Sequence, residues 1–287
     1  MKKMRMNNKR KLALYLMLLP SLMGFCIFYL FPYVLSLSVS LFANPTFDTI
    51  IWFKNYAALF ESISFRLAMR NTLRFVLFAV PLNVGLALLL ALWLRGRKLF
   101  SGVLKGSALM PMAVPAVSVA VAFHDWFQLD GIMNRLISAN TDYLTSKYSF
   151  HIAIIMFLWK NTGTIMLLMM IGLESIPEKY YDCAALDTNR RWTVFINITA
   201  VYLRPTLFFV IVFSIINVFR MFRDIHLLFG NYPNKSVYML QHFMNNHFYN
   251  LDYSKLCTAA FVVSAIIYVF VHFLYHDERR NHDAISG

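Results

Sequence analysis

Six stretches of this chain approach the length and apolarity that a helix needs to cross the hydrocarbon layer of a membrane, about 20 residues each. They are Leu12–Leu41, Asn71–Leu94, Leu104–Phe127, Phe150–Leu173, Leu203–Phe219 and Leu256–Tyr275. Within lipid every backbone polar group must find its partner inside the protein, and runs of this length meet that demand as helices rather than as barrel strands. The expected fold class is therefore all-α: a polytopic membrane protein with six transmembrane helices. Composition agrees, with 59% hydrophobic and 14% charged residues and a mean hydropathy of +0.56. No polar stretch is long enough to fold apart from the membrane. One membrane domain is expected over residues 12–275, between a basic tail at 1–11 and a second tail at 276–287.

The basic start, Lys2 to Lys11, followed by an apolar run and small residues near Ala43, has the outline of a signal peptide. The run from Leu12 to Leu41 is far longer than the roughly 7–15-residue core of a cleaved signal, so an uncleaved first span is expected. Six spans place both ends on one side. With the ends in the cytoplasm, sixteen of the 27 Lys and Arg residues are cytoplasmic, among them Arg95, Arg97, Lys98, Lys105, Lys179, Arg190, Arg191 and Arg204. The positive-inside rule favours that orientation, with Arg66 and Arg70 in the first outward loop counting mildly against it.

The net charge of +13 alone would suit a nucleic-acid binder, but its basic residues sit in short segments beside apolar runs. Cys26 and Cys257 lie within apolar runs and Cys183 in a polar connection, which leaves neither a disulfide framework nor a metal-binding pair. The outward segments Asn44–Ala68 and Gly230–Tyr253 are rich in Asn and aromatic residues, as suits chain at the membrane interface or against a protein outside.

The connection from Glu174 to Arg204 is too long and too patterned to be a simple tie. Ser175, Pro177 and Glu178 read as a helix start with a capping box, and Asp187-Thr188-Asn189 as an interruption. Trp192, Phe195, Ile198 and Tyr202 then mark a second apolar face, which Pro205 ends by beginning the fifth span. The expectation is a helix-turn-helix on the cytoplasmic surface.

The segment IPEKYYDCAALDTNRRWTVFINITAVYLRP resembles the EAA loop of binding-protein-dependent ABC importer permeases. Asp182, Cys183 and Ala184 stand at the EAA positions, Asp187 and Thr188 at the usual Asp-Gly, Ile198 at the Ile, and Val201 where Pro is common. Thr at the Gly position implies a turn under backbone constraint, or one displaced onto Asn189. Further patches in order, including LLPSLMGFCIFYLFPYVLSLSVSLF, KNYAALF and LMPMAVPAVSVAVAFHDWFQLDGIMNRLI, extend the likeness to carbohydrate permeases related to the larger maltose-permease subunit. That resemblance implies the type I ABC importer permease fold and an ATP-driven import of a sugar or oligosaccharide. It implies that Tyr181, Asp182, Cys183, Ala184, Leu186, Asp187 and Thr188 form a coupling helix against an ATPase. The implied partners are a second permease subunit, two ABC ATPase domains, an extracellular solute-binding protein and the lipid bilayer.

Polar groups within spans are costly and point to a pathway: Asn83, Lys160, Asn161, Thr162, Asn217 and Arg220. The fourth and fifth spans contribute solute contacts in the related permeases, so the resemblance nominates Trp159, Asn161, Thr162, Asn217 and Arg220. Trp159 offers a flat face to a sugar ring, and the amides offer donor and acceptor pairs. The competing reading makes Asn and Thr interhelical ties and has Lys160 and Arg220 reaching for the interface. His124-Asp125 reads as a loop pair rather than a proton relay.

No phosphate-binding GxxxxGK[ST] motif, zinc-protease motif or nucleophile elbow occurs, so no catalytic or metal-binding residues are assigned. ATP and Mg belong to the partner ATPase, and no cofactor is expected in this chain. An ion-coupled secondary transporter is the alternative, and it requires inverted repeats and an internal ion site.

Overall fold

The computed structural model describes residues 8–43, 45–95, 101–138, 140–188 and 190–286. Most of the basic start, Arg97, Lys98 and Asn189, all named above, lie outside them. In chain order the helices are α1 (Asn8–Phe25), α2 (Phe31–Leu41), α3 (Lys54–Glu61), α4 (Ile63–Leu94), α5 (Ser101–Ala113), α6 (Ala116–Phe127) and α7 (Ile132–Ile137). They continue as α8 (Ser149–Glu174), α9 (Glu178–Asp187), α10 (Arg191–Val194), α11 (Ala200–Arg220), α12 (Phe222–Phe229), α13 (Leu240–Tyr249) and α14 (Tyr253–Ser286). Five helical stretches are long and apolar enough to span a membrane, and a sixth arises if one bent pair counts as a single span.

Two compact units make up the described chain. The first holds the chain up to Ser62 together with His247–Ala265. In it, α1 and α2 are joined by a π-helical turn at Cys26–Leu30. Residue 28 has no amide to receive at Pro32, and the widened turn just before the proline absorbs that defect without ending the helix. The apolar side chains of this first span, such as Met17, Phe28 and Tyr29, are exposed. After the span, Asn55 donates to the carbonyls of Ser40 and Phe42 at 2.9 and 2.8 Å, and Tyr56 meets Ser40 at 2.9 Å.

The second unit runs through Ile63–Asn246 and takes up the end of α14. Its centre is α4 packed along α8, with α11 packed on both. Phe75, Phe150, Phe157 and Val218 share one apolar cluster. At the other end Leu94, Leu173, Ile176 and Leu203 share a second. Since α4 and α8 both run from the first cluster to the second and α11 runs back, the loop after α8 emerges beside the end of α4. Small residues allow close approach without a hydrophobic driving force. A Cβ on Gly163 would lie 1.7 Å from the carbonyl oxygen of Ala108 on α5, and one on Gly172 would lie 2.4 Å from Thr206 Oγ1 on α11.

Three expectations change. The second span starts earlier: α4 has 32 residues, about 48 Å, because nothing between Ile63 and Arg70 breaks a helix. Arg66 and Arg70 therefore ride on the helix, not in a loop. The third span is broken: Gly106–Ala113 and the stretch Ala116–Ile137, which holds α6 and α7, are bent by 93°. Pro115 lies extended at the break, where it denies α6 a donor and bars helical geometry to the residue before it. The fifth span, read as short, belongs to one helical stretch of 39 residues, Arg191–Phe229. It stops at Gly230, whose φ of 76° ends the helix while its amide bonds His226 O at 2.8 Å.

Candidate coupling face and solute cleft

The loop after α8 is built from its turn outward. Ser175 finishes α8, its hydroxyl donating to Gly172 O at 2.7 Å, so the capping box expected for it does not form. Ile176 is buried in the cluster with Leu94 and Leu173, and Pro177 is the extended residue before α9. Burying Ile176 fixes where the chain turns, and Glu178 in the first turn of α9 complements the helix dipole.

Two tyrosines fasten α9 to the bundle. Arg95 at the end of α4 donates to the Tyr181 hydroxyl at 2.8 Å, with its guanidinium 4.3 Å from the ring centre. The same hydroxyl lies 3.1 Å from Thr199 Oγ1, and the Tyr180 ring packs 4.8 Å from that of Tyr202. On the opposite face Asp182, Cys183, Ala185, Leu186 and Asp187 are exposed, and Leu186 is 89% exposed. Of the proposed coupling residues, Tyr181 thus faces the bundle, Ala184 and Thr188 are half-buried, and Asp182, Cys183, Leu186 and Asp187 are exposed.

At Thr188 the backbone is not constrained, and the alternative of a turn displaced onto Asn189 lies outside the described residues. The Thr188 φ of −157° is extended backbone that any residue adopts, and its amide closes α9 on Ala184 O at 2.9 Å. The hydroxyl accepts from the Arg190 amide at 3.2 Å. The second arm is not a separate surface helix either. α10 passes through a π turn at Phe195–Thr199, in which the Ala200 amide reaches Phe195 O, directly into α11 with Pro205 inside it. Pro205 sits inside α11, so it does not start the span.

The five nominated solute residues do not form one site. Trp159 is exposed and meets Phe123 edge-on at 6.2 Å. Thr162 ties helices: its Oγ1 lies 2.9 Å from Asn83 Oδ1 on α4 and 2.6 Å from Leu158 O. Turning the Asn83 amide over lets its otherwise unpartnered Nδ2 donate to Thr162, whose own proton goes to Leu158. Asn161, Asn217 and Arg220 do come together, lining a cleft of about 160 Å³ beside Lys160 and Asp224. Asn161 spends one amide proton on Phe157 O at 2.9 Å.

Lys160 does not reach for the interface. It is held 2.5 Å from Asp224 on α12, with the two side chains 16% and 7% exposed. Sequence reasoning missed Asp224; the available signal was a lone acid just past the fifth apolar run, opposite in charge to a lone lysine within the fourth. His124 and Asp125, read as a loop pair, lie in the last turns of α6, 3.9 Å apart and each more than half exposed.

The family model for inner membrane components of binding-protein-dependent transport systems matches residues 84–281, which take in α9 and the cleft. The chain belongs to that family. It is a permease subunit, resident in a membrane that it crosses several times. The trehalose/maltose transport system permease protein MalF of Thermococcus litoralis is 27% identical over 270 residues, 91% of each chain. The lactose transport system permease protein LacF of Rhizobium radiobacter is 25% identical over 283 residues, covering 93% of this chain and 94% of that one. The arabinooligosaccharides transport system permease protein AraP of Bacillus subtilis is 25% identical over 232 residues, 77% and 74% of the two chains. A crystal structure of a bacterial ABC transporter involved in the import of the acidic polysaccharide alginate superposes with a TM-score of 0.83. At 23% identity over 95% of this chain and 96% of that one, it shows the permease fold.

Proposed function

We propose that this subunit imports a sugar or oligosaccharide, as one half of a pore completed by a second permease. Residues 12–275 act as the permease domain, with both termini in the cytoplasm. An extracellular binding protein delivers the solute, and two partner ATPase domains that hold ATP and Mg drive the cycle through α9. The names of the permeases for trehalose/maltose, lactose and arabinooligosaccharides support the solute class. The observation that carries the mechanism is α9 itself: fastened on one face by Tyr180 and Tyr181, bare on the other at Asp182, Cys183, Leu186 and Asp187.

An element so arranged can transmit force, because a push on its exposed face is delivered through Tyr181 and Tyr202 to α4 and α11 together. ATP-bound partners shift the pore only if they bind one of its states more tightly than the other. Basic residues gather at the α9 end, with Arg95, Lys179, Arg190, Arg191 and Arg204 near it, which supports a cytoplasmic face there. The native thiol of Cys183 provides the test. A membrane-impermeant maleimide, read by peptide mass mapping, is expected to label Cys183 in inverted vesicles stripped of ATPase and not in intact spheroplasts or after the ATPase is restored. Labelling in spheroplasts would overturn both the orientation and the docking face.

A further inference from the structure

The cleft between α8 and the α11–α12 stretch holds an imbalance of charge and of hydrogen bonding that the chain leaves open. The Lys160 and Asp224 charges cancel each other across 2.5 Å. Arg220 lines the same cleft and makes no ion pair with any described residue. Asn217, one helical turn before it, is 6% exposed, and its carboxamide, which opens on the cleft, has no hydrogen-bond partner among the described residues. Arg220 is itself exposed and its guanidinium stays hydrated, so what marks the cleft is one net positive charge, left over once Lys160 and Asp224 cancel, beside an amide free to bond a ligand. The hydroxyls of a neutral sugar satisfy the amide but leave the guanidinium charge uncompensated. A carboxylate satisfies both, taking two parallel N–H donors from the guanidinium and a third from the amide.

Building on the reading of the subunit as a sugar importer, we propose that Asn217 and Arg220 receive the carboxylate of an acidic sugar unit in the transported solute. Lys160 serves as a positioning residue: by holding Asp224 it keeps that carboxylate from occupying the Arg220 guanidinium.

The test uses the complete importer in cells, with uptake of radiolabelled trigalacturonate and of its carboxyl-reduced, neutral counterpart measured side by side. The expected result for the unaltered importer is preference for the acidic trisaccharide. Arg220→Gln is expected to lower the acidic-to-neutral uptake ratio at least tenfold through KM, and Arg220→Lys to restore part of it, at equal membrane abundance. Preference for the neutral trisaccharide, or a ratio unmoved by Arg220→Gln, overturns the acidic site while leaving the sugar-importer reading in place. Uptake of neither compound overturns the acidic site as well, and leaves the sugar-importer reading to the Cys183 test. A phospholipid headgroup offers Arg220 similar oxygens. If the effect of Arg220→Gln in nanodiscs follows anionic lipid content and not the solute's charge, the ligand is lipid and the proposal fails.

Discussion

At Gly163 the absence of a side chain decides how near α5 comes to α8. A methyl group there would enter the space of Ala108 O at 1.7 Å, and backbone cannot turn aside as a flexible side chain can. Gly163→Ala is expected to cost about 1–3 kcal/mol through forced separation of the helices. It should lower the melting temperature of the purified subunit, whereas Gly85→Ala, with nothing within 4 Å, should not. Equal melting of both variants would contradict the close approach. His242, fully buried on α13 with an unpartnered Nε2, is held down to about 4 by burial and by His226, whose ring is 6.2 Å away. Released chain takes up that proton near 6.5, so the neutral histidine's contribution is complete above that pH and is lost as pH falls toward 4. The loss is on the order of 3 kcal/mol across the window. His242→Gln should flatten the fall in melting temperature between pH 7 and 5; an unchanged slope would assign it elsewhere. At this scale the sequence marked the costly polar positions but not their partners. Asn83–Thr162 and Lys160–Asp224 join residues 79 and 64 positions apart, and only packing brings such pairs together.

Among the elements, α9 is where local signal and tertiary placement agree. Its short helix was readable from the small and acidic residues, of which Asp182, Cys183, Ala185 and Asp187 are exposed and Ala184 is half-buried. Its boundaries were misread because a capping box and an α8 terminus use the same serine, and only the buried Ile176 decides between them. Ala184→Trp, on the edge of that face, is expected to reduce transport more than tenfold while ATP hydrolysis persists and membrane abundance is unchanged. Unaltered uptake would remove α9 from the coupling route. Tyr181→Phe should act more mildly through loss of its bonds to Arg95 and Thr199, about 1 kcal/mol. Apolar run length located the spans well but could not show the 93° break at Pro115 or the passage of α10 into α11. Proline has two outcomes in a membrane helix: at Pro115 the chain leaves helical geometry, and before Pro205 it widens into a π turn and continues.

For the whole molecule, an ion-coupled transporter and an importer subunit differ in what must be attached for function. A secondary transporter is complete in one chain, with an ion site at a repeat interface. This chain instead presents an anchored helix with a bare face, an apolar first span exposed to its surroundings and a cleft with an unanswered charge. The exposed apolar span suits contact with lipid, and the anchored helix with a bare face accords with membership of a binding-protein-dependent transport family. The most direct test is to tag the C-terminus, extract the protein from its own membranes in mild detergent, and identify by mass spectrometry what remains bound. The account predicts a second permease and an ATPase carrying the GxxxxGK[ST] phosphate-binding loop. Recovery of this chain alone, repeated after gentle crosslinking, would contradict it.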